Sequence, residues 1–160
     1  MAPTNELRLT DDANLQTLPL RSRGAPTTLR SAAIVLELLL GLSALGGGAA
    51  LMLGPAGEII PLPLALLRHT PFDSYFVPGL ILFSILGVGP SVAAGFALSR
   101  SRWAPWMTVG VGVALLVWLA VEIALIGYSN NPPLQPLYLA LGAALTAVGL
   151  VWRRRAADSA

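Results

Sequence analysis

Four stretches of the chain, residues 31–53, 75–98, 103–127 and 134–152, each carry at most one charged side chain. A bilayer core roughly 30 Å thick asks for about 20 apolar residues of helix, and each stretch is long enough. Strands are the poor alternative. Gly, Ala and Leu dominate, the hydrophobicity is continuous rather than alternating, and barrel strands are much shorter. The expected fold is therefore all-α, a four-transmembrane-helix bundle in a single domain. Composition agrees: of 160 residues 55% are hydrophobic and 11% charged, where soluble domains average about a quarter charged.

Arginine placement gives the expected threading. Loops rich in Arg and Lys stay cytoplasmic. Arg8, Arg21, Arg23, Arg30, Arg100, Arg102, Arg153, Arg154 and Arg155 fall on one side, and only Arg68 on the other. Both termini are thus expected inside. Arginine without lysine, beside so much Ala, Gly and Leu, suggests a GC-rich bacterium, and hence its cytoplasmic (inner) membrane. The same placement makes the basic residues topology signals rather than a nucleic-acid surface. The polar, aperiodic residues 1–29 read as a disordered cytoplasmic tail, and 156–160 as a second short one. A cleaved signal peptide is the rival for the first, but the apolar run after it is long for that role. The membrane domain is expected over 30–155.

The external segment 54–74 has an apolar centre, 59–67, too short to span and broken by Pro61 and Pro63. It is expected to lie along the interface or dip shallowly, with Phe72, Tyr75 and Phe76 as aromatic anchors. Trp103, Trp106 and Trp152 are expected to form the matching belt beside the arginines. Gly89 and Pro90 predict a kink in the second helix, with a nearby hydroxyl satisfying the freed carbonyl.

Helices associate in lipid through small residues and shared hydrogen bonds, so each should carry one inward stripe. At 100° per residue the first carries Arg30, Glu37, Gly41, Ala44 and Gly48; the second Ser84, Gly87, Ser91 and Ala94. The third carries Thr108, Val111, Leu115, Trp118 and Glu122; the fourth Gln135, Tyr138, Gly142, Thr146 and Gly149. Remaining small residues such as Gly110 and Ala114 leave room for a homo-oligomer or a protein partner.

A carboxylate inside a span is a functional candidate, because insertion at the centre costs roughly 2.5–3.5 kcal/mol. Glu122 and Tyr138 fall at similar depth either side of the turn at 128–133, so Tyr138 or Gln135 could hydrogen-bond Glu122. Glu37 has Ser91, Thr108, Thr146 or Arg30 as possible partners. Each glutamate can equally be structural glue, and their expected heights are too different for shared acid–base work. His69 and Asp73 are candidates in the external segment, with a plain interfacial role as the alternative. With no cysteine and one histidine, no thiol nucleophile, disulfide or recognised metal spacing exists. The glycines of "GLSALGGGAA" lack the Lys and Ser or Thr of a phosphate loop, and close helix packing accounts for them. No cofactor is implied.

The run "TPFDSYFVPGLILFSILGVGPSVAA", with "WLAVEIALIG" and "LQPLYLALG" after it, resembles a group of small bacterial four-helix integral membrane proteins without established activity. The likeness covers most of the chain after about residue 33. It implies an architecture and no catalytic residue, and it draws attention to Phe72, Asp73, Pro78, Gly79, Trp118, Glu122, Gln135 and Pro136. Three readings follow. The first is a non-catalytic accessory or lipid-binding bundle whose partner is the bilayer or another protein. The second is a proton-linked or solute carrier with an outer site around Glu122, Tyr138, Gln135 and segment 54–75; Trp118, Glu37, Asp73 and His69 are the further candidates for binding or proton-linked roles. The third, with least support, is an enzyme on a lipid-like substrate, with Glu122 as acid or base assisted by Asp73 or His69.

Overall fold

The computed structural model of the protein describes residues 25–68, 70–128 and 133–158. Its architecture is four helices, α1 (Ala25–Leu53), α2 (Phe76–Leu98), α3 (Ala104–Ile126) and α4 (Leu134–Ala157), each long and apolar enough to cross a membrane. Residues 1–24 of the tail expected at 1–29, residues 159–160 of the second expected tail, and His69 lie outside the described residues.

Two helices run past their expected ends. α1 begins at Ala25 and not at 31, so the last residues assigned to the tail are helical. α4 continues through Arg153, Arg154 and Arg155 to Ala157, beyond 152. Loss of hydrophobicity ends a span but not a helix: Arg and Ala are good helix formers, and cations favour the negative end of the macrodipole.

Glycines set how closely the helices approach. On α1 a Cβ at Gly48 would lie 2.7 Å from the Gly79 carbonyl oxygen and 2.7 Å from the Phe83 nitrogen of α2. Gly41 repeats this lower down against Gly87 and Ser91. On the other side, Gly112 of α3 meets the Thr146 backbone of α4, and Gly149 meets Val109. These are backbone-to-backbone contacts of two antiparallel pairs, the packing that lipid-embedded helices favour. Leu40, Leu86, Leu115 and Leu145, one from each helix, fill the centre and are almost wholly buried.

The irregularity expected at Gly89 and Pro90 takes the form of a π-helical stretch, Leu82–Val88, in which the Gly89 N–H reaches back five residues to the Ser84 carbonyl. Proline cannot donate to the residue four before it, and a widened turn upstream is a common accommodation. The widening rotates the face that follows. Ser84, expected on the inward stripe, is exposed and bonds its own Leu80 carbonyl at 2.6 Å. Ser91 stays on the packed face and donates to the Gly87 carbonyl at 2.8 Å. Below this stretch Gly89–Leu98 packs along α3. Above it Phe76–Ile81 packs on α1 and leaves α3. The bundle is therefore open at the end away from Arg100, Arg102 and Arg153–Arg155.

Candidate functional site

The opening between α2 and α3 is a cavity of about 620 Å³, walled by all four helices and by the segment joining α1 to α2. That size lies within the roughly 300–1,000 Å³ of small-molecule sites. Leu40, Leu86 and Leu115 form its floor, and Leu82, Leu119 and Trp118 its sides.

Segment 54–75 lines one side of this cavity. Gly57, at φ 93°, makes the turn that brings the chain back beneath Leu62. A 3₁₀ turn at Leu64–Leu67 follows. The Tyr75 hydroxyl donates to the Pro63 carbonyl at 2.8 Å and its N–H to the Pro55 carbonyl at 2.9 Å. Tyr75 is therefore buried, packed with Leu51 and Leu67, and is no aromatic anchor. The same carbonyl also accepts the Leu66 N–H at 3.1 Å, so the hydroxyl uses its second lone pair and ties Tyr75 to the start of the 3₁₀ turn. Ile60, Leu62, Leu66 and Phe72 turn their apolar atoms to the cavity.

Polar groups border this apolar space at two places. Gln135 Nε2 donates to Glu122 Oε1 at 3.0 Å and to the Gly127 carbonyl at 3.3 Å. Gly127 closes α3 at φ 85°, a conformation that glycine adopts without strain. Of the two donors considered for Glu122, Gln135 is the one it meets. Tyr138 points across to α1, where its hydroxyl lies 3.3 Å from Ser43 Oγ. Glu122, Gln135, Tyr138, Ser43 and Trp118 all line the cavity. Asp73 is exposed and does not line it.

Glu37 is elsewhere. It is fully buried, one turn of α1 below Leu40, and accepts a hydrogen bond from Thr108 Oγ1 at 2.7 Å, while its Oε2 has no partner. Fourteen residues of α3 separate Thr108 from Glu122, about 21 Å at 1.5 Å per residue. The two carboxyl groups thus serve separate places. Thr108 has a second acceptor, the Ala104 carbonyl at 3.1 Å, so losing Glu37 does not strand its hydroxyl. Replacement of Glu37 by Met removes an unpaired buried oxygen and keeps the volume. Its expected effect on unfolding in detergent is a change of less than about 1 kcal/mol, of either sign. A loss several times larger, measured by denaturant titration, would show that Glu37 holds the bundle together.

Trp152 also departs from expectation. Trp103 and Trp106 are exposed at the arginine-bearing end, Trp106 with the Arg153 guanidinium 4.0 Å from its ring centroid. Trp152 instead packs on Ala33, Ala97 and Ala104, because these small residues leave the space its indole fills. Among the described residues no three His, Asp or Glu side chains come together as a metal site would require. The arrangement can hold an apolar molecule and hydrogen-bond one end of it. Comparison with known proteins adds no activity: no family model, no curated protein sequence and no solved structure matches the chain.

Proposed function

We propose that this is a non-catalytic protein of the bacterial inner membrane, both termini cytoplasmic, that holds one acyl-chain lipid in its outer-half cavity. The observation that carries the reading is the cavity itself, apolar along its walls and floor and bordered by the Glu122–Gln135 pair. An apolar chain fills the space under segment 54–75, and a hydrogen-bonding group at its end meets Glu122 and Gln135. Adjacent polar pairs fix orientation while the apolar walls supply affinity, about 25 cal/mol per Å² removed from water. Native mass spectrometry of the protein extracted gently from its own membrane is the test. At least one retained lipid per chain is expected, and a bare chain under conditions that keep the helices folded refutes it.

Glu122 has a defined part in this. Glu122→Gln keeps an oxygen to accept from Gln135, so lipid retention and stability stay near wild type. Glu122→Ala loses the pair, at a stability cost of about 1 kcal/mol, and releases lipid more readily. Equal retention by both variants would remove Glu122 from the site.

A proton-linked or solute carrier is the second reading, and Glu37 favours it: a buried carboxyl with one unpartnered oxygen lies just under the cavity floor. Flux through reconstituted liposomes that falls in Glu37→Gln and Glu122→Gln, with stability unchanged, would move the assignment there.

A further inference from the structure

A second cavity, of about 400 Å³, lies at the arginine-bearing end, and its lining contains three arginines from two separate places in the chain: Arg30 of α1, and Arg100 and Arg102 of the α2–α3 connection. Thr27, Ser101 and Trp152 complete most of the wall, and none of the lining residues is acidic. Topology alone requires cationic residues near a helix end, but it does not require them to face one hollow.

Arg100 carries the argument further. The Ser101 N–H reaches the Phe96 carbonyl at 3.0 Å and the Arg100 N–H the Ala97 carbonyl at 3.2 Å. This paired bonding closes α2 as a Schellman motif, whose left-handed position is usually glycine. Here Arg100 occupies it at φ 56°. A side chain in that conformation costs roughly 1 kcal/mol that glycine would not. The chain thus has an arginine at the position where local stability favours glycine most, and that arginine lines the hollow shared with Arg30 and Arg102. Arg102 keeps its position with its guanidinium 5.4 Å from the Trp103 ring centroid.

We propose that this cavity binds a phosphate group, that of an anionic phospholipid headgroup in the adjoining leaflet. Three guanidinium groups offer the forked donors that phosphate oxygens accept, and basic hollows between transmembrane helices are known headgroup sites in general. The proposal is independent of the outer cavity, which lies at the opposite end and has no arginine in its lining.

The test is binding of phosphatidylglycerol, phosphatidylcholine and inorganic phosphate to the detergent-solubilised full chain, read by native mass spectrometry. Phosphatidylglycerol is expected to bind about tenfold more tightly than phosphatidylcholine. Arg100→Gly is expected to weaken phosphatidylglycerol by about tenfold while its unfolding temperature equals or exceeds that of wild type, since glycine relieves the backbone. The double variant Arg30→Gln/Arg102→Gln should lose the same preference, and Arg154→Gln, outside the lining, should keep it. Inorganic phosphate that binds as tightly as phosphatidylglycerol and displaces it would support the phosphate site and assign it to a free ion. Equal binding of the two lipids without phosphate competition, or Arg100→Gly indistinguishable from wild type, overturns the proposal. Because Arg100 is remote from the outer cavity, neither result bears on the lipid held there.

Discussion

Replacement of Gly48 by Leu is expected to separate α1 from α2 and lower the stability of the bundle by about 3 kcal/mol or more, the upper range for overpacking. A Cβ there would sit 2.7 Å from both the Gly79 carbonyl oxygen and the Phe83 nitrogen. These are backbone atoms, so no rotamer change makes room. The partner position is equally tight, with a Cβ at Gly79 placed 2.7 Å from Leu51 Cβ. Relief requires moving a whole helix, which also breaks the Tyr75 packing over Leu51 and Leu67. Titration with a denaturing detergent, followed by helix content and tryptophan emission, measures the loss. Two residues away, Gly46 has nothing within 4 Å of its would-be Cβ. Gly46→Leu is therefore the control, with a change below about 1 kcal/mol and of favourable sign by helix propensity. Similar destabilisation by both variants would mean that the α1–α2 contact is not what the glycines serve.

The four spans were legible because lipid imposes one requirement on every residue of a span, and that requirement survives averaging over about 20 residues. The inward stripes were legible for the same reason: Glu37, Gly41, Ala44 and Gly48 are indeed the buried face of α1. What escaped depends on departures from regular helix. Ser84 left its stripe because the π stretch rotates α2, and periodicity at 100° per residue has no means of anticipating that. The cavity escaped with it, since it exists because α2 leaves α3 above Pro90. Tyr138 shares depth with Glu122, as counting from the turn suggests, but it faces Ser43 across the bundle. Depth is additive along a sequence; azimuth between helices is set by packing. In sequence Arg100 is one more basic residue beside a helix end, and its left-handed backbone follows from the hydrogen bonds that close α2.

Gly47, between the tolerant Gly46 and the intolerant Gly48, separates fold from function. It lines the cavity under segment 54–75, and its would-be Cβ meets only Leu82 Cδ2, at 3.6 Å, an ordinary contact. A leucine there grows into the space assigned to the lipid and touches no backbone. Gly47→Leu is expected to leave the bundle as stable as wild type or slightly more so, because it adds helix propensity and apolar contact. It is expected to lower lipid retention by about tenfold or more, as four carbon atoms occupy volume that an acyl chain needs, each buried methylene being worth about 0.8 kcal/mol. Native mass spectrometry of Gly47→Leu beside Glu122→Ala distinguishes the two contributions: the first removes room for the chain, the second removes the group that orients its polar end. Retention that falls only in Gly47→Leu would mean that the apolar walls alone recognise the ligand. Undiminished retention in Gly47→Leu, with the fold intact, would place the lipid outside the cavity and end the proposed reading.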